Sequence, residues 1–221
     1  MRVILAEKPS VAQSIAAVLG ADQKKNGYLQ GENDIVSWCI GHLIELAPPE
    51  IYDARYAKWR REDLPIVPSA WESVVSDGTK KQFSVLKDLL NRTDVDEVVC
   101  ATDAGREGEL IFRMVYEKTG CTKPVKRLWI SSLEESAIRE GFRSLKPGTA
   151  YDALYRAALC RAQADWLVGI NGTRLYSRLY GTKLNVGRVM TPTLAMVAQR
   201  EKEIAAFQVE RFYTVQLSCG F

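Results

Sequence analysis

Val98-Val99-Cys100-Ala101-Thr102-Asp103-Ala104-Gly105-Arg106-Glu107-Gly108-Glu109-Leu110 is the stretch from which the fold can be read. Its β-branched and small apolar start, led in by Asp96 and Glu97, predicts a short buried strand. Ala104-Gly105 allows a tight turn with close backbone approach. A helix is expected from about Gly108, with Leu110, Ile111, Met114 and Val115 on one side and Gly120 as its stop. Asp103 then lies at the carboxyl end of a strand and Glu107 at a helix N-terminus, the edge where open α/β sheets build their sites. Acidic residues also favour helix N-termini for electrostatic reasons alone, so this stretch needs a second observation.

The N-terminus supplies one. Val3-Ile4-Leu5-Ala6 is apolar throughout, as a central parallel strand is, and ends in Glu7-Lys8-Pro9-Ser10. Ser10 is the expected cap of a helix from Val11 to Leu19, with Gly20 ending it. The order strand, acid, helix occurs twice. If the two strands are parallel neighbours, Glu7, Asp103 and Glu107 converge on one edge. Three crowded carboxylates repel one another unless a cation separates them, and an all-oxygen set suits Mg2+.

The chain has 221 residues, 47% hydrophobic and 26% charged, enough for one large or two small globular domains with a real core. Its net charge is only +3. The five cysteines form no C-x-x-C pair and read as reduced residues of a cytoplasmic protein. The lone His42 gives them no zinc partner set. The start turns polar too soon for a signal peptide, no apolar run reaches membrane-span length, and a monomer is expected.

Further along, Ile35, Trp38 and Ile40 suggest strand, and the proline-rich stretch from Ala47 to Ser69 reads as an ordered excursion carrying Lys58-Trp59-Arg60-Arg61. Lys80 to Leu90 is an amphipathic helix with Phe83, Leu86, Leu89 and Leu90 inward. Val125 to Ile130 is a strand, and Ser132-Leu133-Glu134-Glu135 reads as a capping box opening a helix to about Leu145. Lys146-Pro147-Gly148 marks a domain boundary. An alanine-rich helix follows to about Ile170, with another helical piece near Tyr176. Between Ala153 and Gln199, Arg156, Arg161, Arg174, Arg178, Lys183 and Arg188 face a single acid, Asp165, which gives this window +5 and the rest of the chain −2. Such concentration is the footprint of a polyanion partner. Thr191-Pro192 opens a last helix to about Ala206, and Arg211 to Cys219 alternates like a strand that the sequence leaves just begun at Phe221.

Five separated motifs, Ala6–Ser10, Trp38–Pro49, Thr102–Glu109, Arg161–Arg174 and Val186–Leu194, resemble in order those of a type IA DNA topoisomerase of the topoisomerase III branch. The resemblance implies an α/β Toprim domain, a mostly parallel sheet flanked by helices, over residues 1–147. A mainly helical DNA-groove domain over 150–210 and the start of a β domain over 211–221 would follow. It implies single-stranded DNA as partner, Mg2+ as cofactor, no membrane, and strand cleavage by a tyrosine on a domain this chain does not reach, so that the chain alone lacks cleavage. By the same resemblance Glu7 is the metal-binding and proton-transferring glutamate, Lys8 holds the scissile phosphate, and Asp103 and Glu107 complete the acidic cluster. Gly105 stands where the family has a second aspartate, removing one ligand. For DNA, the resemblance points to Trp59 and Trp166 as stacking surfaces, Arg161 and Arg174 as phosphate contacts, and Asp165 as an acceptor for a base edge. Asn185-Val186-Gly187-Arg188-Val189-Met190 becomes a segment gripping the strand, with Met190 in place of the usual glutamine. Two alternatives stay open: a Toprim nuclease hydrolysing with metal-bound water, and a non-catalytic DNA-binding fragment.

Overall fold

The computed structural model describes residues 1–220. In chain order its elements are β1 (Arg2–Ala6), α1 (Pro9–Leu19), β2 (Gln23–Lys25), β3 (Tyr28–Gln30), β4 (Asp34–Trp38), β5 (Ile44–Leu46), α2 (Pro49–Tyr52), β6 (Ser73–Val75), α3 (Lys80–Leu90), β7 (Glu97–Ala101), α4 (Arg106–Thr119), β8 (Val125–Arg127), α5 (Glu135–Arg143), β9 (Lys146–Pro147), α6 (Asp152–Tyr180) and α7 (Met190–Ala205). Seven strands form one sheet in the order β2-β3-β4-β1-β7-β8-β9, and β5 and β6 form a separate antiparallel pair. The centre, β4-β1-β7-β8, is parallel, while the pairings at the edges, β2 with β3, β3 with β4 and β8 with β9, are antiparallel.

The alternation of side chains along a strand explains the layering. Val3 and Leu5 of β1 join Val98 and Cys100 of β7 in a cluster with Leu86 and Leu90 of α3 and Ile111 and Val115 of α4. Ile4 and Ala6 join Val99 and Ala101 on the other face, against Ala12 and Ile15 of α1 and Ile138 of α5. The central strands are therefore buried on both sides, as their unbroken apolar sequence requires. Ala158 places α6 against the first of these faces.

Several boundaries differ from the sequence reading. Helix α1 begins at Pro9, with Lys8 at its N-cap and no side-chain cap, so Ser10 lies inside the first turn. Helix α4 begins at Arg106, since Glu109 N–H already donates to Gly105 O at 3.1 Å, and Glu107 thus falls in the first turn. Ser132 Oγ accepts from Glu134 N–H, two residues on, and α5 starts only at Glu135. Helix α6 is continuous for 29 residues despite Gly169 and Gly172. Gly172 is needed there because a Cβ at this position would lie 2.8 Å from Val186 Cγ1. Helix α7 starts at Met190, one residue before the expected cap. Residues 207–220 have no regular secondary structure. The alternation over 211–219 finds no strand partner among the described residues, so no sheet hydrogen bonds form there.

Candidate functional site

Parallel pairing of β1 with β7 sets Ala6 beside Ala101. The residues that follow each strand therefore emerge together. Glu7 Oε2 accepts from Asp103 N–H at 3.2 Å, and Lys8 Nζ stands 3.6 Å from Glu7 Oε1 and 3.4 Å from Asp103 Oδ2. The Lys8 ammonium is held above its ordinary range, chiefly by the charge of Asp103 and then by its hydrogen bond and by Glu7. Lys8 and Asp103 are open to solvent while Glu7 is largely covered. Glu107 points elsewhere: its Oε1 lies 3.5 Å from Arg161 Nη1 of α6. The edge thus brings Glu7, Lys8 and Asp103 together and leaves Glu107 bridging toward the helical segment. Among the described residues no three acidic, histidine or cysteine side chains are close enough to form a metal cage. Mg2+ does not require one, because it keeps several waters and takes one or two carboxylates plus substrate phosphates. Glu7 and Asp103 fit that donor set.

The loop carrying Asp103 is braced from below by a pair that the sequence reading missed. Arg127 of β8 is 1% exposed. Its Nε donates to Glu109 Oε1 at 2.6 Å, Nη1 to the carbonyls of Cys100, Thr102 and Leu128, and Nη2 to Asp103 O at 2.8 Å. Thr102 Oγ1 donates to Gly108 O at 2.8 Å, and a Cβ on Gly108 would come within 2.1 Å of Asp103 O. That glycine lets the helix start fold back over the loop. No local signal marks the Arg127–Glu109 pair: Glu109 lies on the opposite side of α4 from Leu110, Ile111, Met114 and Val115, and only the assembled fold buries it.

Between β5, α4 and α6 lies a cavity of about 600 Å3, lined by Leu46, Leu110, Met114 and Trp166 together with Glu107, Arg161 and Asp165. Trp166 is held edge-on to Tyr52 and Trp71, and its Nε1 donates to Ala47 O at 3.0 Å. Asp165 accepts from Arg188, which holds its carboxyl below the usual carboxylate range, and also lies 3.7 Å from Arg161 Nε. Exposed His42 lines the same cavity.

The remaining predicted contacts divide. Arg174 is not a free phosphate contact: it is 4% exposed and donates to Tyr56 O at 2.7 Å and Glu50 Oε1 at 3.0 Å, with its guanidinium over the Trp59 ring. It anchors the proline-rich excursion to α6. In the predicted gripping segment, Val186 N–H is taken by Thr173 Oγ1 and Gly187 N–H by Thr191 Oγ1, so those two amides already have partners. Asn185, Arg188, Val189 and Met190 remain exposed.

Residues 2–133 match the Toprim domain model, and the chain belongs to that family. Within it, the chain is an N-terminal part of a type IA DNA topoisomerase: residues 149–221 match the DNA topoisomerase model. It is 51% identical over 214 residues to DNA topoisomerase 3 of Bacillus anthracis, covering 97% of this chain and 29% of that protein. With the DNA topoisomerase 3 of Shouchella clausii it shares 52% identity over 216 residues, 98% of this chain and 30% of that one. Full-length topoisomerase I from Thermotoga maritima superposes with a TM-score of 0.64 at 26% identity, over 93% of this chain and 31% of that one. The chain therefore spans about three-tenths of the length of the curated relatives it matches.

Proposed function

We propose that this chain provides the metal-binding, phosphate-positioning and strand-holding part of a type IA topoisomerase, acting on single-stranded DNA with Mg2+, while the nucleophilic tyrosine lies outside residues 1–221. The observation that carries the reading is the gathering of Glu7, Lys8 and Asp103 at one sheet edge, followed in the chain by Glu107, which pairs with Arg161 of the linked Arg161–Asp165–Arg188 set.

In this reading Glu7 and Asp103 would hold the magnesium ion, which supplies Lewis-acid polarisation of a phosphate oxygen when bound. Lys8 presents a compact point charge to the scissile phosphate, where negative charge grows in the transition state. Glu7, the more covered of the two acids, exchanges the proton with the leaving 3′ oxygen. Arg161 and Arg188 meet flanking phosphates, and the indole wall of the cavity suits a base whose identity is irrelevant to stacking.

The test uses the polypeptide extended through the remaining domains. Lys8→Ala is expected to abolish strand cleavage and to leave oligonucleotide binding largely intact; comparable loss of both removes Lys8 from the chemistry. Cleaved ends without covalently attached protein would identify hydrolysis and reject transesterification.

A further inference from the structure

We infer that the chain carries a binding site for a small organic cation, a one-ring aryl-alkyl ammonium, in a cavity between α4, α6 and the β5–β6 pair, apart from the cleft at Glu107. The inference does not rest on the single-strand reading above.

The cavity holds about 240 Å3, and its walls include Leu46, Met114 and Leu159, with Trp71 and Tyr155 as aromatic surface. Leu46 and Met114 also line the Glu107 cleft, so a layer of side chains separates the two. Three charged groups line the cavity: the carboxylates of Glu72 and Glu117 and the ammonium of Lys118. The lysine is already engaged, donating to Ser73 O at 2.6 Å. Among the described residues, Glu117 has the Tyr155 hydroxyl as its one side-chain partner, which donates to Oε2 at 2.9 Å and leaves Oε1 without a donor. The phenol adds no charge of its own, because burial and then the bond to Glu117 hold it above its ordinary range. Glu117 also sits in the last turn of α4, the negative end of the helix dipole, where a carboxylate is disfavoured. Two acids and a helix end therefore add their fields at one apolar hollow.

A purely structural account explains part of this. Lys118 suits the end of α4, and Trp71 packs edge-on against Trp166 with ring centroids 5.4 Å apart. That account gives no reason for two acids without a cation around apolar and aromatic walls. An ammonium group satisfies the acids, while its ring meets Trp71 and the aliphatic walls. The same acids repel phosphate, so the cavity does not extend the strand path. Pockets for drug-sized ligands start at about 300 Å3, so this one takes a single ring.

The experiment titrates the whole chain with 2-phenylethylammonium, and with 2-phenylethanol and phenylacetate as its neutral and anionic counterparts, by calorimetry and methyl NMR. The amine is expected to bind about tenfold more tightly than the alcohol, the worth of one charge-assisted hydrogen bond, and phenylacetate should not bind. The methyl signals of Leu159 and Met114 should move with the amine. Glu117→Gln keeps an acceptor for Tyr155 and so spares the fold; it should weaken the amine about tenfold and leave the alcohol unchanged. An oligothymidylate of about 16 nucleotides should not displace the amine. Absence of amine binding, equal binding of amine and alcohol, or binding of phenylacetate overturns the site. So does an unchanged amine affinity in Glu117→Gln. A Leu159 methyl that stays still, or displacement by the oligonucleotide, would put the amine elsewhere and overturns it as well.

Discussion

Replacing Arg127 with methionine should destabilise the chain by about 3 kcal/mol, the lower end of the range for breaking a buried ion pair from one side. The figure follows from the surroundings. Arg127 and Glu109 side chains are 1% and 2% exposed, so neither charge has water to fall back on. Methionine fills similar volume and leaves the Glu109 carboxylate with Arg113, whose Nε is 3.4 Å away, as its one cation and the Cys100 thiol as a weak donor. That residual partner is why the lower end applies. The carbonyls of Cys100, Thr102, Leu128 and Asp103 also lose their shared donor. Urea unfolding followed by circular dichroism measures the change as a shift of midpoint at constant slope. Two further variants separate charge from geometry. Arg127→Lys keeps the charge but cannot reach four carbonyls from one nitrogen, and should still lose more than half the effect. Glu109→Leu with Arg127→Met removes both charges and should be more stable than Arg127→Met alone. A loss below about 1 kcal/mol in Arg127→Met, the size of an average point-mutation effect, would refute the bracing role, as would simple additivity in the double variant.

Gly108→Ala should displace the Asp103 loop, since its Cβ would overlap the Asp103 carbonyl; amide chemical shifts of residues 102–108 read this directly, and unchanged shifts would contradict it. Gly105→Asp should be accepted without loss of stability, because the backbone there is extended and no atom lies within 4 Å of the added Cβ. Mn2+ titration should then show tighter binding from the extra carboxylate. The Asp165–Arg188 link should be pH-dependent in one direction: the hydrogen bond from Arg188 lowers the Asp165 pKa, so the link is complete above the unfolded carboxylate pKa of about 3.9 and fades as pH falls through the lowered folded value. Arg188→Ala should raise the Asp165 pKa in a carboxyl NMR titration; no movement would dissolve the pair.

Where the sequence was legible, a local rule coincided with the global fold. The twice-repeated order of apolar strand, acid and helix locates Glu7 and Asp103 because each signal is contained within about a dozen residues. That they meet depends on β1 lying beside β7, a pairing across more than ninety positions, and no local pattern specifies it. The Arg127–Glu109 pair was missed for the same reason: its worth comes from burial that only the assembled sheet creates. For Arg174 the resemblance implies a phosphate contact; its carbonyl and carboxylate partners come from the excursion at residues 50–56, distant in sequence, and no local pattern shows them. Helix α6 was read as two pieces because Gly169 and Gly172 weaken helix propensity; packing of Val186 over Gly172 outweighs that.

Continuity of α6 matters for how the two halves communicate. Arg161 pairs with Glu107 near one end and Arg174 pairs with Glu50 further along. Asp165 links the same helix to Arg188 of the segment before α7. Arg161, which lines the cleft, and Arg188, which pairs with Asp165 at its rim, are thus each occupied by a carboxylate in the chain by itself. Exposed pairs of this kind contribute little to stability. An incoming phosphate can take over either guanidinium at little cost, exchanging one anion for another. What the pairs supply is order: they fix the Arg161 and Arg188 guanidinium groups, so that under the proposed function fewer rotamers would be lost when a strand binds. Under the proposed function, a phosphate taken up by Arg161 would free Glu107, which lies in the first turn after the loop that carries Asp103.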